Sequence, residues 1–345
     1  YPTYAQNKES PPPKVEANET IPIPSHLAMA VFDESTGTMM EMRDLRRHSD
    51  PKIRNAWETS VSNEFGRLLK GIGRKKNNGK SRVGEGHDTF HFIKKERVPR
   101  DKKVTYARFC CDVRPQKDEE NRTRITVGGD RLQYDGETST EVASMETTKI
   151  HINSTISTKG ARYSCADVGN FYTNSRLESP EYMRIHERDI PQEVKDEYNV
   201  MNYVNKDGYV YCEINGALYG LSQSGYIANK DLEKHLKPHG YYPSQKTPGL
   251  WLHKTRPITY TLIVDDFGIK YTNKSDIEHL HGIVKQKYPV KIDWTGSKYI
   301  GIDLEWHYDE GYVILSMKGY VKKALKRFLH LERARHGPTK FEQPE

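Results

Sequence analysis

Between Thr261 and Tyr271 the chain reads Thr-Leu-Ile-Val-Asp-Asp-Phe-Gly-Ile-Lys-Tyr, a run of strand formers broken by two adjacent carboxylates. β-Branched and aromatic residues on both sides of the break call for extended backbone. The pattern therefore predicts a hairpin over Tyr260 to Tyr271 with Asp265 and Asp266 at its tip. Burying such a run while holding two like charges at its turn is costly unless a cation neutralises them. Asp also favours turns for local reasons, so a lone Asp-Asp pair more often marks a plain turn.

A second acid changes the balance. The segment Ser164-Cys165-Ala166-Asp167-Val168-Gly169-Asn170-Phe171-Tyr172 also ends an apolar strand, Tyr163 to Val168, on a carboxylate, with an aromatic five residues further on. A strand-end Asp and an Asp-Asp hairpin, about a hundred residues apart with a helix between them, are the layout of a polymerase palm. There, two metals about 4 Å apart clamp the attacking and leaving oxygens of an in-line displacement. Positioning and charge neutralisation on a triphosphate supply the rest.

The remaining pattern predicts further helices and strands. Ile53, Trp57, Val61, Phe65 and Leu69 repeat at four-residue spacing and mark a helix over about 51 to 70. From about 88 to 133 short apolar runs alternate with charged turns, as in a small twisted sheet, and basic residues such as Arg108, Arg114, Arg122, Arg124 and Arg131 outnumber acids. A solvated rim accounts for most of them, yet a cationic sheet face is also what a phosphate-rich ligand requires. Helices are expected over 145–158, 224–238, 275–287 and 317–329, a strand over 208–214, and a hairpin over 299–316 turning at Asp309-Glu310-Gly311. Gly240 stands where a left-handed helix cap belongs. Residues 1 to about 25, with Pro11-Pro12-Pro13, suit a disordered lead, and Gly71 to Lys80 a mobile basic loop.

Composition narrows the classes. The 345 residues hold 54 Lys and Arg against 47 Asp and Glu, a net charge of +7, which suits a nucleic-acid partner and an ordinary soluble protein alike. The four cysteines, Cys110, Cys111, Cys165 and Cys212, form no C-x-x-C pair and read as reduced, buried thiols of an intracellular protein. No apolar run approaches the length of a membrane span, and nothing after Tyr1 resembles a secretory leader, so the chain reads as an internal piece of a longer polypeptide. The 14 histidines show no metal-ligand spacing backed by a third ligand. Gly71-Ile-Gly73 and Gly84-Glu-Gly86 lack the strand–loop–helix context of a phosphate loop. Trp251, Trp294 and Trp306 are expected to pack cores or a primer-contacting hairpin.

These landmarks carry a resemblance. With Trp57-Glu58 and Glu64, Arg124-Ile-Thr-Val-Gly-Gly, Asp167-Val-Gly-Asn-Phe-Tyr172, Glu181-Tyr-Met, Ala217-Leu-Tyr-Gly-Leu-Ser-Gln223, Val264-Asp-Asp-Phe267 and Tyr299-Ile-Gly-Ile302, the chain resembles the reverse transcriptase domain of copia-type long-terminal-repeat retrotransposon polyproteins. The likeness runs collinearly from about Glu41 to His330. It implies an α+β right-hand polymerase with a ferredoxin-like palm, β-rich fingers and a partial thumb. The corresponding spans are a lead over 1–45, fingers over 46–143, palm over 144–174, more fingers over 175–226, palm again over 227–302, and a primer-grip hairpin with partial thumb over 303–345.

The resemblance also implies roles. Asp167 and Asp265, with the backbone of Val168, are similar to the ligands of two divalent ions, Mg2+ or Mn2+, and Asp266 to a third, less direct acid. Tyr172 falls where the family keeps a steric gate against the ribose 2'-hydroxyl, although a core aromatic is the simpler reading of the residue alone. Gln223 matches a glutamine that touches incoming nucleotide and template, and Val264 lies beside the primer end. Arg124, with Arg122 or Arg114, would hold the triphosphate as fork donors. The implied partners are an RNA or DNA template-primer duplex and deoxynucleotides, with RNase H and integrase regions elsewhere in the polyprotein. The implied setting is a cytoplasmic virus-like particle with a nuclear stage. The chain departs from the family in having Ile263 where most relatives have Tyr, in Asn170, and around Glu141 to Thr147. A decayed or co-opted element that binds nucleic acid without chemistry, or a different palm enzyme, would show many of the same residues.

Overall fold

The computed structural model describes residues 29–74, 82, 83, 85–115, 117–317, 319 and 320. The lead expected over 1–25, the basic loop beyond Arg74 and most of the helix expected over 317–329 lie outside them.

The described chain opens with a hairpin, β1 (Val31–Asp33) and β2 (Thr38–Met40), and one turn of helix, α1 (Met42–Leu45). Then come α2 (Pro51–Leu68), β3 (Phe90–Ile93), β4 (Val104–Val113), β5 (Asn121–Val127), α3 (Met145–Ile156) and β6 (Arg162–Val168). β7 (Arg176–His186), α4 (Gln192–Tyr198), β8 (Tyr209–Gly216) and α5 (Ser224–Leu236) follow, and after them β9 (Tyr241–Pro243), β10 (Leu250–His253), β11 (Thr259–Ile263) and β12 (Asp266–Tyr271). The described part closes with α6 (Lys274–Lys287), β13 (Val290–Asp293), β14 (Lys298–Tyr299), β15 (Ile302–His307) and β16 (Tyr312–Ser316). The result is a mixed, β-rich α/β architecture.

α2 begins where its sequence says it should. The Asp50 carboxylate accepts from the Lys52 N–H, and Pro51 occupies the first helical position, where no N–H is needed. Its stripe of Trp57, Val61, Phe65 and Leu68 is buried against a five-stranded sheet ordered β3-β8-β7-β4-β5. β4 and β7 pair in parallel over three residues only, Val104 to Tyr106 against Tyr182 to Arg184, and the other pairs are antiparallel.

The second sheet is antiparallel and ordered β13-β6-β12-β11-β10-β9. Alternation along β6 divides its two faces. Ala166 and Val168 join the core beneath α5 and α6, whereas Tyr163 and Cys165 join one shared with α3 and a three-stranded sheet, β14-β15-β16. Gly240 takes the left-handed conformation expected of it, at φ 92°.

Two expectations need adjustment. The hairpin tip consists of Val264 and Asp265, since Asp266 already pairs with Ile263 and opens β12. Trp251 and Trp306 pack into the protein as expected, but Trp294 is 43% exposed, its ring against His281.

Candidate active site

The three acids named from the sequence meet at one end of the six-stranded sheet. Asp266 stands directly opposite Asp167 in the β12–β6 ladder, and residues directly opposite share a face. The Val168 N–H donates to the Asp265 carbonyl at 3.0 Å, which fastens the hairpin tip to the end of β6. The Gly169 N–H donates to the Pro289 carbonyl at 2.8 Å and holds the chain beyond Asp167. Val264, at φ 59°, is the first of the two tip residues. Positive φ there suits a tight hairpin turn but is normally left to glycine. In a β-branched residue such a conformation costs about 1–3 kcal/mol and persists only where the surroundings impose it.

Burial dominates the electrostatics of Asp265 and Asp266 at this end. Burial first, then Asp265 and Asp167, push the Asp266 carboxyl up to about 7. Asp265 is raised as well, mainly by burial, with Asp167 adding to the effect. The opposing cations, Arg124 on Asp265 and Lys117 on Asp266, are weaker influences than the burial that raises each group. Among the described residues, no group of three or more His, Cys, Asp or Glu converges as a ready metal cluster. The donor chemistry still fits hard divalent cations, which favour carboxylate and backbone carbonyl oxygens.

Around the acids the structure gathers some of the other residues picked out from the sequence and leaves others apart. Tyr172 is half-buried, its ring 5.8 Å from Phe171 and 4.9 Å from Tyr219, and Asp265 is among the groups that raise its hydroxyl pKa. Arg124 is exposed on β5 with its guanidinium 5.2 Å above the Tyr219 ring. Gln223 is buried at the N-terminus of α5, its side-chain oxygen accepting from Ser222 at 3.3 Å.

The loop before Gln223 lies hard against the end of β5. A Cβ on Gly220, at φ 98°, would come within 2.0 Å of the Val127 carbonyl oxygen. Arg122 and Arg114 are elsewhere: Arg122 pairs with Glu64 at 3.1 Å and Glu119 at 3.3 Å, and Arg114 reaches Glu119 at 3.7 Å. The Asn170 amide is engaged with the His87 ring at 2.9 Å. Lys291, which nothing in the local sequence marks, lies in register with Asp167 on the strand at its other side. Only the long-range pairing of β13 with β6 reveals it.

Acids from distant segments thus face one another at a sheet end of a mixed α/β chain. The sequence profile of the family described as reverse transcriptase (RNA-dependent DNA polymerase) matches residues 113–336, more than half of the chain, and the chain belongs to that family. It is also 26% identical over 160 residues to the transposon Ty5-1 protein of Saccharomyces cerevisiae, a match covering 46% of this chain and 47% of that protein. The chain thus spans about half the length of the curated relative it matches. Among the described residues no helix is long and apolar enough to cross a membrane.

Proposed function

We propose that the chain is the polymerase core of a reverse transcriptase from a copia-type long-terminal-repeat retrotransposon, adding deoxynucleotides to a primer paired with an RNA or DNA template. The observation that carries this reading is the meeting of Asp167 and Asp266 on paired strands with Asp265 at the adjoining hairpin tip, where burial and the neighbouring acids raise Asp265 and Asp266. In this reading the six-stranded sheet is a ferredoxin-like palm, supported by the order β6, α5, β11, β12, α6, β13. The five-stranded sheet with α2 forms the fingers, and β14 to β16 the primer grip ahead of a thumb.

Asp167, Asp265 and the Val168 carbonyl would hold two divalent ions, Mg2+ or Mn2+, with Asp266 less directly engaged. When bound, such ions supply charge stabilisation at the oxygens exchanged in the displacement. The protein's own residues orient the reactants. Arg124 offers a planar fork to triphosphate oxygens. Tyr172, braced by Phe171 and Tyr219, presses where a 2'-hydroxyl would lie. Gln223 contacts template and nucleotide from the head of α5, and the constrained Val264 fixes the hairpin tip beside the primer end. RNase H and integrase in the same polyprotein, and a cytoplasmic particle with a nuclear stage, belong to this reading.

The test is primer extension on poly(rA)/oligo(dT) with Mg2+ or Mn2+, comparing the full chain with Asp265→Asn. Extension by the wild type alone supports the proposal. A folded wild type that binds primer-template but extends nothing in either metal would make the chain a nucleic-acid binder without chemistry.

A further inference from the structure

The segment that enters β3 is stitched to the protein on two sides. The His87, Asp88 and Thr89 N–H groups donate to the carbonyls of Arg67, Leu69 and Leu68 at 2.8, 2.9 and 2.6 Å, using acceptors that the end of α2 leaves open. Arg176, at the start of β7, donates to the His87 and Asp88 carbonyls at 3.1 and 2.6 Å. Gly86 leaves no room for a side chain, since a Cβ there would come within 2.0 Å of the Leu69 carbonyl oxygen. A strap fixed in this way holds its side chains in set places.

From the strap the half-buried His87 ring reaches Asn170, three residues beyond Asp167, with Nε2 2.9 Å from the Asn170 Nδ2. An amide nitrogen donates and does not accept, so Nε2 is the acceptor and the ring is neutral, with its proton on Nδ1. Burial first, then Arg176, hold the His87 pKa below its ordinary value, which favours that form. Asn170 is where the chain changes course. It takes φ 56°, a left-handed conformation that Asn accepts more readily than most residues. Its carbonyl accepts from Thr173 Oγ1 at 3.1 Å, from Asn174 Nδ2 at 2.8 Å and from the Asn174 N–H at 3.3 Å. Those bonds build the single helical turn Tyr172–Asn174, so what fixes Asn170 also fixes the footing of the Tyr172 ring.

We propose that His87 is a positioning residue for the sugar end of the nucleotide site, acting through Asn170 on Tyr172. The inference rests on the polymerase reading and on the place that reading gives to Tyr172. The imidazole is a short strut from a strap anchored on α2 and β7. Without it the Asn170 amide would turn to solvent, and the turn would be free to tilt and make room for a 2'-hydroxyl.

A dideoxy-terminated oligo(dT) primer on poly(rA) tests this without turnover. The full chain in Mg2+ is titrated with dTTP and with UTP, and nucleotide-dependent retention of primer-template gives a Kd for each. The wild type is expected to prefer dTTP. His87→Ala should weaken that preference about three- to tenfold, the scale of one lost hydrogen bond. His87→Gln, whose amide oxygen can accept from Asn170, should restore most of it. Asn170→Gly, which keeps the left-handed backbone and removes the amide, should match His87→Ala. In a Tyr172→Ala background His87→Ala should add nothing, because residues acting through one another do not sum. Thermal melting would verify that each variant folds. The proposal is overturned if folded His87→Ala and Asn170→Gly keep the wild-type preference, or if His87→Ala lowers it equally with and without Tyr172. A wild type that prefers dTTP in those cases leaves the polymerase reading standing, whereas one that binds neither nucleotide removes both.

Discussion

Two acidic sites in this molecule, one fully buried and one at a sheet end, are held in different ways. In the five-stranded region Glu64 is fully enclosed, yet Arg67 and Arg122 each stand 3.1 Å away and the Ile125 N–H donates to its other oxygen at 3.3 Å. Glu119, on the turn between β4 and β5, shares both arginines. At the end of the six-stranded sheet Asp266 stands opposite Asp167, beside the hairpin tip that carries Asp265. Lys291 is in register with Asp167, and Arg124 and Lys117 are weaker influences than burial. The first arrangement carries its own counter-charges, although burial still lifts the Glu64 carboxyl to about 7, and it ties α2 to an edge strand. Under the proposed function, a cation from solution would offset the charge of the second. In this reading the acid with built-in counter-charges belongs to the frame, and the acids at the sheet end to the proposed site.

The contrast can be broken most sharply at Asp265. Asp265→Asn should lower primer extension about a thousandfold or more while the melting temperature stays the same or rises. A coincident loss of folding would make the acid structural. Next in size, Glu64→Ala would leave Arg67 and Arg122 with Glu119 alone and the Ile125 N–H without its acceptor, and should cost about 1–3 kcal/mol in a urea titration, with Glu64→Gln recovering part. A neutral outcome would remove the frame side of the comparison.

Tyr172→Ala should raise the use of ribonucleotides relative to deoxynucleotides about 10- to 200-fold, the range expected of a steric pocket contact. Competitive incorporation assays would show it, and unchanged sugar discrimination would leave Tyr172 a core aromatic. The smallest effect is a pH dependence. Asp266 has its folded pKa raised to about 7, so the stability tied to its protonated form is present below the ordinary carboxylate range and is lost as pH rises through 7. Asp266→Asn in metal-free buffer should therefore raise the melting temperature by about a few degrees at pH 8 and not at pH 4. Mg2+ should stabilise the wild type more at pH 8 than at pH 5.

Features set by local sequence were readable before the structure. Asp50-Pro51 and the four-residue stripe placed α2, Gly240 marked the end of the α5 segment, and the alternation around Asp309-Glu310-Gly311 gave the β15–β16 hairpin. The three acids were legible because each interrupts an apolar strand. Contacts between distant segments were not. The short parallel pairing of β7 with β4, and the placement of Lys291 beside Asp167, depend on strand partners that no local pattern specifies. The arginines show the same limit: Arg122 and Arg124 are two residues apart on one strand, yet one pairs with Glu64 and Glu119 and the other lies over the Tyr219 ring. Short strands such as β9 and β10, and the single turn of α1, carry too few residues to show a period.

The contact at Gly220 has a mechanical corollary. Main chain rests on main chain there, against Val127 and against Gly129, so the seam holds no flexible rotamers to absorb a shift. Arg124, three residues before Val127, and Gln223, three after Gly220, are coupled through it like parts on one rigid bracket. Any shift of the seam would carry both side chains together, and a bulkier residue there would displace both in a single step.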